Sequence, residues 1–331
     1  MICEAGFYNA FYYFGYERKV RDWTVVIQLI FGFVDYVPTD NHPRRCTCIG
    51  VILESETCIF VADVKLLTSF EAPDAVHGLA VLQKKLYVLR KRQADQLYVY
   101  DTKDYKLQYT ITIPGLEPFM YNDLTECVKE NCLFVSDFGA KSIRKVEPNG
   151  EQSKVSKFID VPYQPKGLSI TPEGNLLVAC NPNKLVEFSV KTGDKVCEVD
   201  LHLEVKYPLH AVKRTDGQYV VCHTDEKLSR VCRVGADGYY RHCFGGLKGA
   251  EAGQMNYACH VTLREDNYVI VADNDNNRLV MLDGSMDYVD TIVENFREPH
   301  RVWFDAETHA RRLYVGECTD NGCVKVFKVG D

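Results

Sequence analysis

The stretch Tyr257–Leu282, YACHVTLREDNYVIVADNDNNRLVML, holds three short apolar runs separated by turn-forming residues. His260 to Leu263 leads into the polar turn Arg264-Glu265-Asp266-Asn267, and Tyr268 to Ala272 ends on Asp273. Asn274, Asp275, Asn276 and Asn277 form a loop, after which Arg278 to Leu282 alternates again. Val, Ile and Tyr suit a pleated surface. Asn and Asp bond their own backbone and tolerate left-handed conformations. The pattern therefore predicts three strands and two tight turns, with no helical period.

The chain repeats this unit. Aligned on a valine of the middle strand, it recurs at Val88 (LYVLR), Val135 (LFVSD), Val178 (LLVAC), Val221 (YVVCH), Val271 (VIVAD) and Val315 (LYVGE), at spacings of 47, 43, 43, 50 and 44 residues. An apolar strand precedes each valine, as in Gly78-Leu79-Ala80-Val81 and Gly167-Leu168-Ser169-Ile170, and a third strand follows, as in Ile143–Val146. Units one to five add a fourth, such as Lys106–Ile113 and Lys195–Val199. Four strands at a period in the mid-forties predict a propeller, because one such sheet buries both faces only when neighbours stack on it. The expected fold is thus all-β: a six-bladed β-propeller of four-stranded antiparallel blades. The sixth unit ends after its third strand. Lys65–Phe70 has the spacing to supply the missing one, so the last blade is expected to close with a strand from the N-terminal side, hiding two sheet edges.

Residues 1–43 do not share the pattern and form a separate N-terminal segment, with 44–331 assigned to the propeller. Phe7, Tyr8, Phe11, Tyr12, Tyr13, Phe14 and Tyr16 crowd the start with no clean period of 2 or 3.6, which leaves strand and helix both open. Cys46–Leu53 and Cys58–Ala62 read as a hairpin.

The recurring elements Pro/His-x-Val-x-Leu, Gly/Asn-x-Tyr/Leu-x-Val-Ala-Asp and Asn-Asn-Arg-Leu/Val resemble the NHL repeat. The fifth unit (CHVTL, YVIVADNDNNRLVML) matches best, and the second (NCLFVSDFGAKSIRKV) and third (KGLSITPEGNLLVACNPNKLVEF) follow. The likeness covers roughly residues 71 to 331. Units one, four and six depart at the final Asp, where Arg90, His223 and Glu317 stand. The resemblance implies one of three settings: RNA or protein binding, as in tripartite-motif NHL proteins; extracellular bacterial sensing; or zinc-dependent cleavage, as in the amidating lyase of peptidyl-hydroxyglycine. The Cys and His spacings of a RING or B-box do not occur in this sequence, so any ubiquitin-ligase context would come from another chain.

Composition narrows these settings. The chain is 46% hydrophobic and 26% charged, with a net charge of −7, which disfavours broad phosphate binding, so DNA is not an expected partner. Its 14 cysteines in 331 residues fall below the density of secreted disulfide scaffolds. Several sit within strands (Cys58, Cys180, Cys222, Cys259), where thiols act as small apolar groups. With no secretory leader pattern, a cytoplasmic protein with reduced thiols is expected. The longest apolar run, Trp23 to Val34, is too short to span a membrane.

Two sets of residues carry candidate chemistry. His77, His210, His260 and His300 mark first-strand starts, which converge on the axis of a propeller; by the lyase resemblance they are candidate zinc ligands. The loops after the middle strands share that face. They supply Arg90, Lys91, Arg92, Phe138 and Lys141 on one side and Asn274, Asn276, Asn277 and Arg278 on the other. Cations interleaved with aromatics suit single-stranded RNA, whereas a mixed-charge face suits a protein. Asp273 to Asn276 lacks the Gly and distal Glu of a calcium loop and reads as turn chemistry. Cys127/Cys132 and Cys318/Cys323 each flank a turn, and free thiols are expected. The sequence thus supports a non-catalytic platform for a protein partner with no cofactor. An RNA-binding propeller and a metal-dependent lyase or hydrolase are the alternatives.

Overall fold

In the computed structural model the described residues are 13–20, 23–30, 64–72, 74–92, 95–117, 121–264, 267–292, 296–305 and 311–330. The chain divides into two units, Met1–Phe60 and Val61–Asp331. In the first, Tyr13–Val20 and Trp23–Ile30 pair antiparallel, from Tyr13 opposite Ile30 to Val20 opposite Trp23. This part of the aromatic-rich start is strand. The expected hairpin over 46–62 lies outside the described residues.

The second unit is a propeller of six four-stranded antiparallel sheets. The first strands are Val76–Leu82, Leu124–Cys127, Gln164–Ile170, Pro208–Lys213, Ala258–Leu263 and Pro299–Asp305. All six aligned valines lie on second strands. The fourth strand of the last blade is Val64–Glu71, which pairs with Cys323–Val329 from Glu71 opposite Cys323 to Val64 opposite Val329. The ring closes as the spacing predicts.

Period-2 alternation explains why one blade does not stand alone. On the second strand Cys132–Asp137, Leu133 and Val135 pack with Tyr87 and Leu89 of the first blade. The intervening Cys132 and Phe134 pack with Leu176 and Val178 of the third. Each apolar side chain so buried contributes about 1.5–3 kcal/mol, so both faces of a central strand need a neighbour. The last such layer joins Tyr314, Val324 and Val326 of the sixth blade to Val76, Leu86 and Val88 of the first.

The Asp-to-Arg element of the repeat also has a structural account. Asp273, fully buried at the end of its strand, accepts from Arg278 Nε at 2.7 Å, from Asn276 at 2.8 Å and from the Asn256 N–H at 2.7 Å. Asp137 holds Arg144 at 3.0 Å in the second blade, and Glu317 holds Lys325 at 2.8 Å in the sixth. The acid ties the strand end to its own loop. Cys232 and Cys243, opposite one another on the outer pair of the fourth blade, are joined by a disulfide, which departs from the expectation of reduced thiols. Cys127 and Cys132 also face each other across their hairpin and are free, as are Cys318 and Cys323.

Candidate functional site: the axial mouth

Strands alternate in direction, so the starts of the first strands, the loops after the second strands and the connections between blades all share one face. On the first strands the residues opposite the six valines are Leu79, Leu124, Leu168, Ala211, Val261 and Val302. One position earlier stand Gly78, Asp123, Gly167, His210, His260 and Arg301. Two positions earlier stand His77, Asn122, Lys166, Leu209, Cys259 and His300. The four histidines therefore belong to two successive rings. Register irregularities at the strand starts, between Pro208 and His210 and between Pro299 and Arg301 among others, mask that offset in the sequence.

The inner ring is tied together by Asp123, which is 1% exposed. Its Oδ1 accepts from Arg301 Nε at 2.9 Å, and its Oδ2 from the Leu168 N–H at 2.9 Å. The Nε2 atoms of His210 and His260 each lie 3.8 Å from Oδ2, and the two rings stack with centroids 3.6 Å apart. Glycine makes this reach possible. A Cβ on Gly167 would come within 2.6 Å of the His210 Cα and 2.7 Å of its Cδ2. Burial pushes the Asp123 carboxyl up, but Arg301, His260 and His210 together outweigh it and hold the group well below the usual carboxylate range. Burial drives the His210 imidazole down to about 3 and lowers that of His260, so both rings are neutral at physiological pH.

Asp123, His210 and His260 bring ligand atoms within 4.8 Å of one another, as do His77, His300 and Cys318. Two imidazoles and a carboxylate are zinc-type donors, but as arranged they do not fit an ion. His210 Nε2, the nitrogen 3.8 Å from Asp123, lies 2.9 Å from the Leu168 carbonyl and must donate to it, so that nitrogen carries a proton and offers no lone pair. The Asp123 charge is already balanced by a guanidinium, and a dication would leave the buried cluster strongly positive. In the second group burial raises the Cys318 thiol despite Lys91 and Arg301 nearby, and Arg301 Nη1 crowds His300 Nδ1 at 3.0 Å.

The loop residues singled out from the sequence are largely committed to the framework. Arg90 is 4% exposed, donates to the Tyr100 hydroxyl at 2.7 Å and lies over the Tyr98 ring. Arg92 is exposed but pairs with Asp320 at 2.5 Å and lies 3.8 Å from Asp74. Asn274 is buried against the Pro299 carbonyl, Asn276 donates to the Gly249 carbonyl, and Asn277 accepts from the Glu298 N–H. Arg278 is held by Asp273 and by the Gln254 carbonyl. Lys91 and Phe138 are half-buried, and Lys141 is exposed.

Sequence reasoning missed a small pocket on the same face. It is lined by Tyr121, Lys166, Leu209, Tyr257, Cys259, His300 and Arg301, with free space of about 10 Å³, room for one water-sized group. Four of these residues form part of the outer ring. Lys166 is only 9% exposed; its amine lies 4.8 Å from the centre of the exposed Tyr121 ring, and burial lowers it to about 8. Reading the two aligned columns beside the histidines, rather than the histidines alone, would have found Asp123, Lys166 and Arg301.

Comparison with known proteins supplies the fold and little more. No family model matches the chain, and no curated protein matches it in sequence. Solved structures do. A PQQ-bound aldose sugar dehydrogenase from Streptomyces coelicolor superposes with a TM-score of 0.63 at 13% identity, over 81% of this chain and 98% of that one. Virginiamycin B lyase from Staphylococcus aureus gives 0.56 at 13%, over 80% and 99%. The Cps50 (Swd1) β-propeller domain of Myceliophteria thermophila gives 0.52 at 13%, over 76% and 83%. What they share is the propeller. Two are named as enzymes and one as a propeller domain, so the likeness does not select a function. Among the described residues no helix is long and apolar enough to cross a membrane.

Proposed function

We propose that this propeller is an NHL-type, non-catalytic binding platform whose partner is a protein, docked on the face that carries the axial mouth. The observation behind this reading is a set of exposed apolar side chains on the inter-blade connections of that face. Tyr121 precedes the second blade, Leu203 and Tyr207 precede the fourth, and Leu247 ends the outer strand before the fifth; Leu203 and Leu247 are 70% and 64% exposed. Tyrosine and leucine beside paired charges match the core and rim of a protein interface. Of the charges expected to hold a polyanion, Arg90 is buried and Arg92 is paired with Asp320. At the axis, Asp123 is bonded to Arg301 and His210 stacks on His260, so these groups are engaged with one another.

The RNA reading keeps one supporting observation. Phe138 and Tyr121 lie with ring centroids 5.6 Å apart, next to the exposed Lys141. One experiment separates the two. Protein captured from source cells should survive nuclease treatment. It should be lost on Leu203→Asp with Tyr207→Asp and on Tyr121→Asp, and kept on Val128→Asp, which lies on the opposite face. Capture abolished by nuclease, or indifferent to all of these changes, overturns the proposal.

A further inference from the structure

The pocket at the axial mouth is rich in donors and contains no acid. None of its seven lining residues is a carboxylate. Burial, with Cys259 and Tyr121 beside it, pushes the Tyr257 phenol well above its ordinary range, so it remains a hydrogen-bond donor. Burial, Arg301 and His77 hold His300 far below its usual range, which leaves it neutral. Burial also raises the Cys259 thiol. The Arg301 charge is balanced by Asp123 at 2.9 Å. One cation is left over among the described residues: Lys166, a residue more than nine-tenths buried, whose amine has an aromatic face beside it and no ion-pairing acid among them.

A buried charge without a counter-charge is costly, and proteins rarely keep one unless something pairs with it. We propose that this pocket is a carboxylate-binding site. Resting on the protein-platform reading, its ligand is an acidic side chain or the terminal carboxylate of the partner polypeptide. One carboxylate oxygen would occupy the water-sized space against Lys166, within reach of the tyrosine hydroxyls, while the rest of the partner spreads over Tyr121 and the adjoining loops. The small volume argues for carboxylate over sulfate or phosphate, whose tetrahedral oxygens need more room. Pairing with an anion stabilises the charged amine, so binding and protonation of Lys166 are linked. Affinity is therefore highest below pH 8 and declines above it, earlier than an exposed lysine would allow.

The test uses the full chain with lysine side chains carrying carbon-13 at Cε, the Lys166 signal being assigned by its loss in Lys166→Met. At constant ionic strength, sodium acetate should raise the proton affinity of Lys166 about tenfold, while chloride and sulfate should leave it in place. Lys166→Met removes a buried charge and should fold at least as stably, which a thermal melt checks. Capped peptides with either an internal Glu or a free C-terminus then identify which carboxylate is preferred. No acetate-specific change, or an equal change with sulfate, overturns the site. If Lys166→Met captures the partner as well as the parent does, the carboxylate site falls and the platform stands. If capture fails in the parent itself while acetate still titrates Lys166, the platform falls and an anion site remains.

Discussion

Replacing Asp123 with Asn tests the axial network most directly. The substitution keeps shape and volume but removes the negative charge paired with Arg301, which is 7% exposed and bonded to Asp123 at 2.9 Å. The amide oxygen can still accept from the Leu168 N–H, so the principal loss is the counter-charge of a buried guanidinium. Removing one member of such a pair costs about 3–5 kcal/mol, because the survivor is left desolvated and unpaired. Domains of ordinary stability hold about 5–15 kcal/mol in all, so the effect should be large. With a urea slope near 3 kcal/mol/M, the midpoint of unfolding should fall by about 1–1.7 M. Asp123→Asn combined with Arg301→Met should recover most of that loss, since neither charge is then stranded. A single variant within about 0.3 M of the parent, or a double variant no better than the single, would refute the network as an organiser of the axis.

Four further outcomes follow from the same geometry. His210, at about 3, and the lowered His260 bind fewer protons folded than unfolded; the stability they confer is complete above pH 6.5 and shrinks as pH falls toward 3, with Asp123 adding to the loss below its unfolded value, and urea midpoints across that range read it. Gly167→Ala drives a methyl into the Leu209 carbonyl and the His210 backbone, 2.5 and 2.6 Å away, and should lower the thermal midpoint by the equivalent of about 1–3 kcal/mol. A chain beginning at Asp74 lacks Val64–Glu71 and bares the edge of Cys323–Val329; size-exclusion chromatography should show concentration-dependent association, reversed by a peptide spanning 64–71. Arg90→Ala with Lys91→Ala should destabilise the first blade through the lost Tyr98 and Tyr100 contacts and leave RNA oligonucleotide binding, measured by fluorescence anisotropy, unchanged.

The blades were legible because each depends on a local, repeated signal: alternating apolar residues, an Asn/Asp turn and a valine at the centre of each second strand. The closing strand Lys65–Phe70 was legible by subtraction, since the sixth unit was one strand short. The site was less so. His210 and His260 do converge, but Asp123 and Arg301, which complete their cluster, come from the second and sixth blades and carry no local motif. The same holds for Lys166: its character comes from burial beside Tyr121, and no neighbour in sequence announces it. Arg90 shows the opposite failure. It looked like a surface cation within Arg90-Lys91-Arg92, yet it ends a strand whose inward faces leave it between Tyr98 and Tyr100.

Closing the last sheet with Val64–Glu71 places the seam of the ring between segments far apart in the chain. That strand has no partner in the sheet until the ribosome has delivered Cys323–Val329, so a chain stopped before these residues carries an unmatched β edge and an incomplete circle. A closed circle thus reports that the sixth blade has been made, and quality-control factors that recognise bare strands could discard shorter fragments without reading anything else about them.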